Sequence, residues 1–198
     1  MQLFSSKYFL WILLSVPALA MAAALLQGNA TMENLLHPTG EFAARFMIVA
    51  MLATPLKLLF SSQRWPFWLL KNRRYFGVAA FGYALMHTVF YMLDMKSVSL
   101  MLDELWTLGI WTGWVAFIIF VPLAVTSNDA SQKLLRRNWK KLQQWVYPAA
   151  LLTLTHWIFV HNNLGPALVH FIPLAALEAY RISVQRKRAT PVAEQSHL

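Results

Sequence analysis

No cysteine occurs among the 198 residues. That excludes disulfides, thiolate metal sites, iron–sulfur clusters and covalently attached c-type haem, all of which need the thiol. Charge is scarce as well: 13% of the residues are charged, whereas 58% are hydrophobic. A water-soluble domain of this length could hardly cover so much apolar surface with so little polar surface, which argues against a soluble globular enzyme and against disorder. No glycine-rich phosphate loop or dinucleotide fingerprint is present, so a nicotinamide-binding domain of the familiar kind is excluded.

What the chain does have is a succession of apolar runs near the ~20 residues needed to cross a bilayer as a helix. Six are read, at about Phe9 to Leu26, Phe42 to Phe60, Gly77 to Leu93, Leu108 to Thr126, Val146 to Val160 and Leu164 to Ile182. The expected fold is an all-α integral membrane protein, a six-transmembrane-helix bundle forming one domain over 1–198, with residues 183–198 a polar cytoplasmic tail. The first run, with Lys7 before it and Ala20, Ala22 and Ala24 towards its end, also looks like a secretory signal. It is longer than the usual signal core, so it is read as a retained helix; cleavage would leave five spans.

The net charge of +9 could point to a polyanion, and position decides the matter. With the amino terminus in the cytoplasm, the inside segments hold Lys7, then Lys57, Arg64, Lys71, Arg73 and Arg74, then Lys133, Arg136, Arg137, Lys140 and Lys141, then Arg181, Arg186, Lys187 and Arg188. That is 15 of the 17 basic residues. Outside lies Lys96, and Arg45 falls just within the second span. This asymmetry predicts that both termini are cytoplasmic and explains the charge by topology and anionic lipid, with no nucleic acid.

Polar side chains inside a bilayer need a reason. Of six histidines, His197 is in the polar tail, His37 in the first outer loop, His161 at the outer end of the fifth span, and His170 about one and a half turns into the sixth. His87 lies 10 residues beyond Gly77 and His156 lies 10 beyond Val146, on two spans that both run outwards. Both are therefore roughly 15 Å deep, near the midplane. Two imidazoles at one depth on separate helices can bracket a planar macrocycle; each can equally hydrogen-bond a neighbouring helix. Bis-imidazole ligation of a haem b iron fills both axial positions and favours electron transfer over chemistry at the metal. A non-haem site would want carboxylates close by, and Asp94, Asp103, Glu104 and Glu178 all lie near span ends.

Other polar groups are read less sharply. Arg45 can snorkel to headgroups or pair with a haem propionate. Arg73 and Arg74 set topology and can also hold a flavin phosphate. The Gly109-Ile-Trp-Thr-Gly113 stretch is a close-packing motif, read as structural.

The ordered motifs His37-Pro-Thr-Gly40, Thr54-Pro-Leu56, Arg73-Arg74 with Gly77, Leu85-Met-His87 with Tyr91, Thr107-Leu-Gly109, Leu123-Ala-Val-Thr-Ser127, Trp139-Lys-Lys-Leu142 with Val146-Tyr147, and His156-Trp157 together resemble one family. It is MsrQ (also called YedZ), a haem-binding membrane family within the ferric-reductase-like transmembrane group. The resemblance implies a b-type cytochrome of the bacterial inner membrane. It would pass electrons from the quinone pool or a cytoplasmic flavin reductase to a periplasmic molybdopterin-containing methionine sulfoxide reductase, whose subunit holds the substrate-reducing site. It also implies an associated flavin mononucleotide, FMN, and places haem on His87 and His156. After Trp139-Lys-Lys-Leu142 the family has His where this chain has Gln143. Gln is a poor haem ligand, and Gln143 precedes His156 by 13 residues, about 20 Å along a continuous helix. One haem is therefore expected, with a flavin or quinone near Arg73, Arg74, Thr126 and Ser127 covering the inner half of the membrane. The alternatives are another quinol-oxidising or ferric-reductase-type cytochrome b, and, in a different class, a haem-free small transporter or assembly factor in which the two histidines relay protons.

Overall fold

The computed structural model describes residues 6–161 and 163–195, with side chains through residue 188. His197, assigned above to the polar tail, lies outside the described residues. The described residues form α-helices and short connections: α1 (Lys7–Leu26), α2 (Met32–Leu59), α3 (Arg64–Met95), α4 (Val98–Glu104), α5 (Leu108–Val125), α6 (Asp129–Leu135), α7 (Arg137–Gln143), α8 (Val146–His161) and α9 (Leu164–Gln195). Five of them, α1, α2, α3, α5 and α9, are long and apolar enough to cross a membrane. The fifth expected span is α8, which at 16 residues is only about 24 Å long.

The helices outrun their apolar stretches, and this corrects two readings. Thr31 caps α2 reciprocally with Asn34, which starts the helix ten residues before Phe42 and places His37 on its second turn instead of in a loop. Similarly, α3 begins at Arg64, with Pro66 in the first turn where no N–H is needed, so Lys71, Arg73 and Arg74 stand on a helix. Long basic side chains are good helix formers, and the helix continues past the point where hydropathy falls. The connection between α5 and α8 folds as α6 and α7, and residues 183–195 continue α9.

Packing makes two pairs: α2 lies most extensively on α3, and α5 on α8. A shared core of Ala44 and Met47 from α2, Ala80 from α3, Phe120 and Leu123 from α5, Ala149 and Trp157 from α8, and Ala167 and Phe171 from α9 joins them. Small residues at the crossings let the backbones approach, as expected where lipid supplies no hydrophobic drive. Large apolar side chains such as Ile12, Ile118, Leu151, Val169 and Ile172 point outwards and are more than half exposed, a surface suited to acyl chains and not to water.

One side chain hydrogen-bonds directly to the backbone of the first helix. Pro17 lacks an N–H and interrupts the helical ladder, and the Tyr83 phenol enters at that point. It accepts from the Ala18 N–H at 2.8 Å and donates to the Leu14 carbonyl at 2.9 Å. The Tyr83→Phe variant leaves two backbone groups without this partner in an apolar setting. It is expected to lower stability by ~1–3 kcal/mol, measured by denaturant unfolding in detergent.

Candidate functional site

Each helix pair contributes one histidine to the centre of the bundle. His87 extends from α3 and His156 from α8, and their ring centres are 5.9 Å apart with planes at 85°. The equal depth expected from the constant rise of a helix is thus realised as direct juxtaposition. Two imidazoles ligating one ion from opposite sides have ring centres about 6 Å apart, since a metal–nitrogen bond is about 2 Å and the ring extends roughly another 1 Å.

The backbone fixes which nitrogen each ring presents. His87 Nδ1 is 2.9 Å from the Leu36 carbonyl oxygen, and His156 Nδ1 is 2.7 Å from that of Gly109. A carbonyl only accepts, so both Nδ1 atoms carry the proton and both Nε2 atoms keep a lone pair for a metal. Thr39, whose hydroxyl donates to the Leu35 and Leu36 carbonyls, supports the His87 contact from one turn away. Hydrogen bonds of this kind orient histidine ligands and raise their basicity.

Glycine makes the space for both rings. A Cβ on Gly40 of α2 would stand 3.2 Å from the His87 ring, and one on Gly113 of α5 would stand 2.5 Å from His156 Nδ1. Each histidine is therefore backed by a glycine from its own helix partner. In the Gly109 to Gly113 motif Gly109 packs against Val160, and Gly113 seats the His156 ring. The sequence signal for this was a glycine four residues from another on an apolar span; which ring it received is a tertiary fact.

Around the rings lies a cavity of about 100 Å³, walled by Ala43, Ala44, Ala84, Ala116, Phe117 and Phe120 and reaching Tyr91 and Trp114. The walls are apolar, the polar groups are few and convergent, and two free imidazole nitrogens belong to it. These features fit a flat, largely apolar, metal-bearing group. No cluster of three or more His, Asp or Glu that could hold a bare metal ion occurs among the described residues.

The remaining predicted residues stand elsewhere. Arg45 is on the α9 side of α2: its Nη2 pairs with Glu41 at 2.5 Å and its Nε donates to His170 Nε2 at 3.1 Å. His170 lies with its ring tilted against that of Trp157, and His37 Nδ1 is 3.1 Å from His161 Nε2. Arg73, Arg74 and Gln143 line a second cavity, the inner one if the termini are cytoplasmic, of about 630 Å³, together with Trp139, Tyr147 and Arg181. Arg73 donates to the Thr54 hydroxyl, and Arg74 pairs with Asp129 at 2.6 Å, holding that carboxyl below the usual carboxylate range. Gln143 donates its amide to the Leu123 carbonyl and the Thr126 hydroxyl, so it serves the carboxyl end of α5.

The family model described as ferric reductase like transmembrane component matches residues 39–154. A protein of Xanthomonas oryzae pv. oryzae (strain MAFF 311018), named protein-methionine-sulfoxide reductase heme-binding subunit MsrQ, is 31% identical over 161 residues, covering 77% of this chain and 72% of its own. The protein of that name from Rhizobium meliloti (strain 1021) is 34% identical over 164 residues, covering 81% and 73%. The chain belongs to the MsrQ family. Membership in MsrQ, with the apolar helices, makes it a multi-pass protein of the bacterial inner membrane. The matched region of this MsrQ chain contains His87 and all but the last two residues of the interval to His156. No solved structure matches the chain.

Proposed function

We propose that the chain is the haem-binding electron-transfer subunit of a methionine sulfoxide reductase system, with His87 and His156 as the two axial ligands of one haem b. The observation that carries this reading is the pair of imidazoles 5.9 Å apart, each with Nδ1 tied to a backbone carbonyl and Nε2 free, in an apolar cavity. The relatives' printed names, as heme-binding subunits of this reductase, support it.

A haem held by His87 and His156 would supply one-electron chemistry. The chain's own residues do the rest. The Leu36 and Gly109 carbonyls select the tautomer and hold the ring planes; Gly40 and Gly113 admit the rings; Phe117, Phe120 and Trp114 exclude water. A fully ligated iron in a dry pocket suits electron passage without a substrate site, so the sulfoxide is reduced on a partner. That partner is a periplasmic molybdopterin-containing reductase subunit, and the donor is the quinone pool or a cytoplasmic flavin reductase.

The topology we infer has six spans, α8 being the short one, with both termini cytoplasmic. Basic residues then gather at the inner cavity, on the side from which electrons arrive. Arg73 and Arg74 serve a flavin or quinone there, and Arg45 is either an interfacial anchor or a propionate partner. Gln143 builds no second haem: among the described residues no histidine joins it in lining its cavity.

The test is haem counting. Purified protein prepared with haem available is expected to show b-type reduced-minus-oxidised bands and one haem per chain by pyridine haemochrome, unchanged in Gln143→Ala. A colourless preparation would discard the cytochrome reading, and two haems per chain would discard the single-haem version.

A further inference from the structure

We infer that Arg181, more than Arg73 or Arg74, is the cation that anchors a phosphate in the inner cavity, with Glu178 as the counter-ion that keeps it there in the absence of ligand. The inference rests on the reading of that cavity as the donor site, and it names the group that would hold the donor's anionic end.

The cavity is lined by cations and by no carboxylate. Its cations are not equally available. Arg74 is committed to Asp129 and also reaches Gln132, and Lys71 and Lys140 are exposed. Arg73 gives an Nη to Thr54. Arg181 differs in two respects. Its side chain is only 18% exposed, and its guanidinium carbon stands 5.4 Å over the ring of Tyr147, itself a lining residue. A desolvated guanidinium next to an aromatic wall interacts with a phosphate far more strongly than an exposed one does, because water does not screen the pair.

The state of Glu178 supplies the second observation. Along α9 the residues Ala167, Phe171 and Leu174 face the core, and the same stripe continues through Glu178 to Arg181 and Gln185 at the cavity. Glu178 is the one carboxylate in this stripe and is 9% exposed. Its Oε2 is 2.9 Å from Arg181 Nε, yet neither carboxylate oxygen nor that Nε makes an aligned hydrogen bond. A buried ion pair without good hydrogen bonds is poorly compensated. Such a pair is poised to exchange a misaligned carboxylate for a better acceptor, and a phosphate offers several oxygens to a guanidinium fork. The aromatic walls, Phe81, Phe120, Trp139 and Tyr147, suit a planar group attached to that phosphate. The chemistry is shared by a flavin mononucleotide and by the headgroup of an anionic phospholipid.

The experiment uses the full chain in phosphatidylcholine nanodiscs, titrated with FMN or with riboflavin and followed by flavin fluorescence. A parallel set measures retention of phosphatidylglycerol by native mass spectrometry. Arg181→Gln is expected to weaken FMN binding about tenfold or more, to the level of riboflavin on the wild type, while the exposed Lys187→Gln leaves it unchanged. Arg181→Lys should recover part of the loss. Glu178→Gln should hold or tighten FMN binding, because it frees the guanidinium; a purely structural pair would weaken in both variants. If the wild type ignores FMN but retains phosphatidylglycerol in an Arg181-dependent way, the anchor stands, its ligand is lipid, and the flavin reading fails. Arg181→Gln protein that binds FMN and lipid like the wild type overturns the assignment, and so does a wild type that binds neither.

Discussion

Replacing either His87 or His156 by alanine is expected to cut the haem content of the purified protein to less than about a tenth of wild type and to remove the b-type bands. The two losses should be similar. In the proposed reading each ring supplies one ligand nitrogen in an apolar cavity, and among the described residues no third imidazole lines that cavity to take over. His161 and His37 pair with each other, and His170 is engaged by Arg45. If both rings ligate a metal, losing one such bond would cost far more than the ~1 kcal/mol of an ordinary hydrogen bond, because the apolar surroundings offer no substitute donor. Haem content by pyridine haemochrome, alongside helix content by circular dichroism, separates loss of the ligand from loss of the fold. Should the two residues be no more than a helix-to-helix contact, both variants will keep any chromophore that the wild type has.

Gly113→Val is expected to have the next largest effect, lowering haem content about tenfold with the helices intact, and Gly40→Ala is expected to have a milder one. The reason is distance. A Cβ at position 113 would stand 2.5 Å from His156 Nδ1 and 2.8 Å from its Cε1, closer than non-bonded atoms tolerate, so the ring must leave the Gly109 carbonyl. At position 40 the nearest approach is 3.2 Å, which the His87 ring can accommodate by a small shift. Gly→Ala inside a helix normally gains about 0.5–1 kcal/mol from backbone entropy. A Gly40→Ala protein that unfolds no more easily than wild type yet shows a displaced midpoint potential would isolate the cradle from general stability. Equal haem content and potential in Gly113→Val and wild type would show that the contact with His156 does not matter.

The sequence carried the central placement because it depends on one number, the rise of a helix: His87 and His156 are equally far from the starts of their apolar runs, and their rings meet. Where the helices begin was harder to read. Hydropathy ends before the hydrogen-bonded ladder does, so Arg73 and Arg74 looked like loop residues although α3 starts at Arg64. The start of α2 was legible in principle from Thr31 and Asn34, a capping pair masked by the polar residues around it, and this moved His37 from a loop onto a helix. Other features depend on which side chain meets which across the bundle. Neither the ring behind Gly113, nor Tyr83 at the Pro17 gap, nor the misaligned Glu178 and Arg181 pair follows from periodicity along one helix.

Low-temperature electron paramagnetic resonance of the oxidised protein tests the central claim most directly, because it reports the axial ligands of a haem iron and how many kinds are present. The account predicts a single low-spin ferric species with two nitrogen axial ligands, absent from both His87→Ala and His156→Ala. A high-spin signal from an iron with an open axial position in the wild type, or a low-spin signal that survives in either variant, would contradict it.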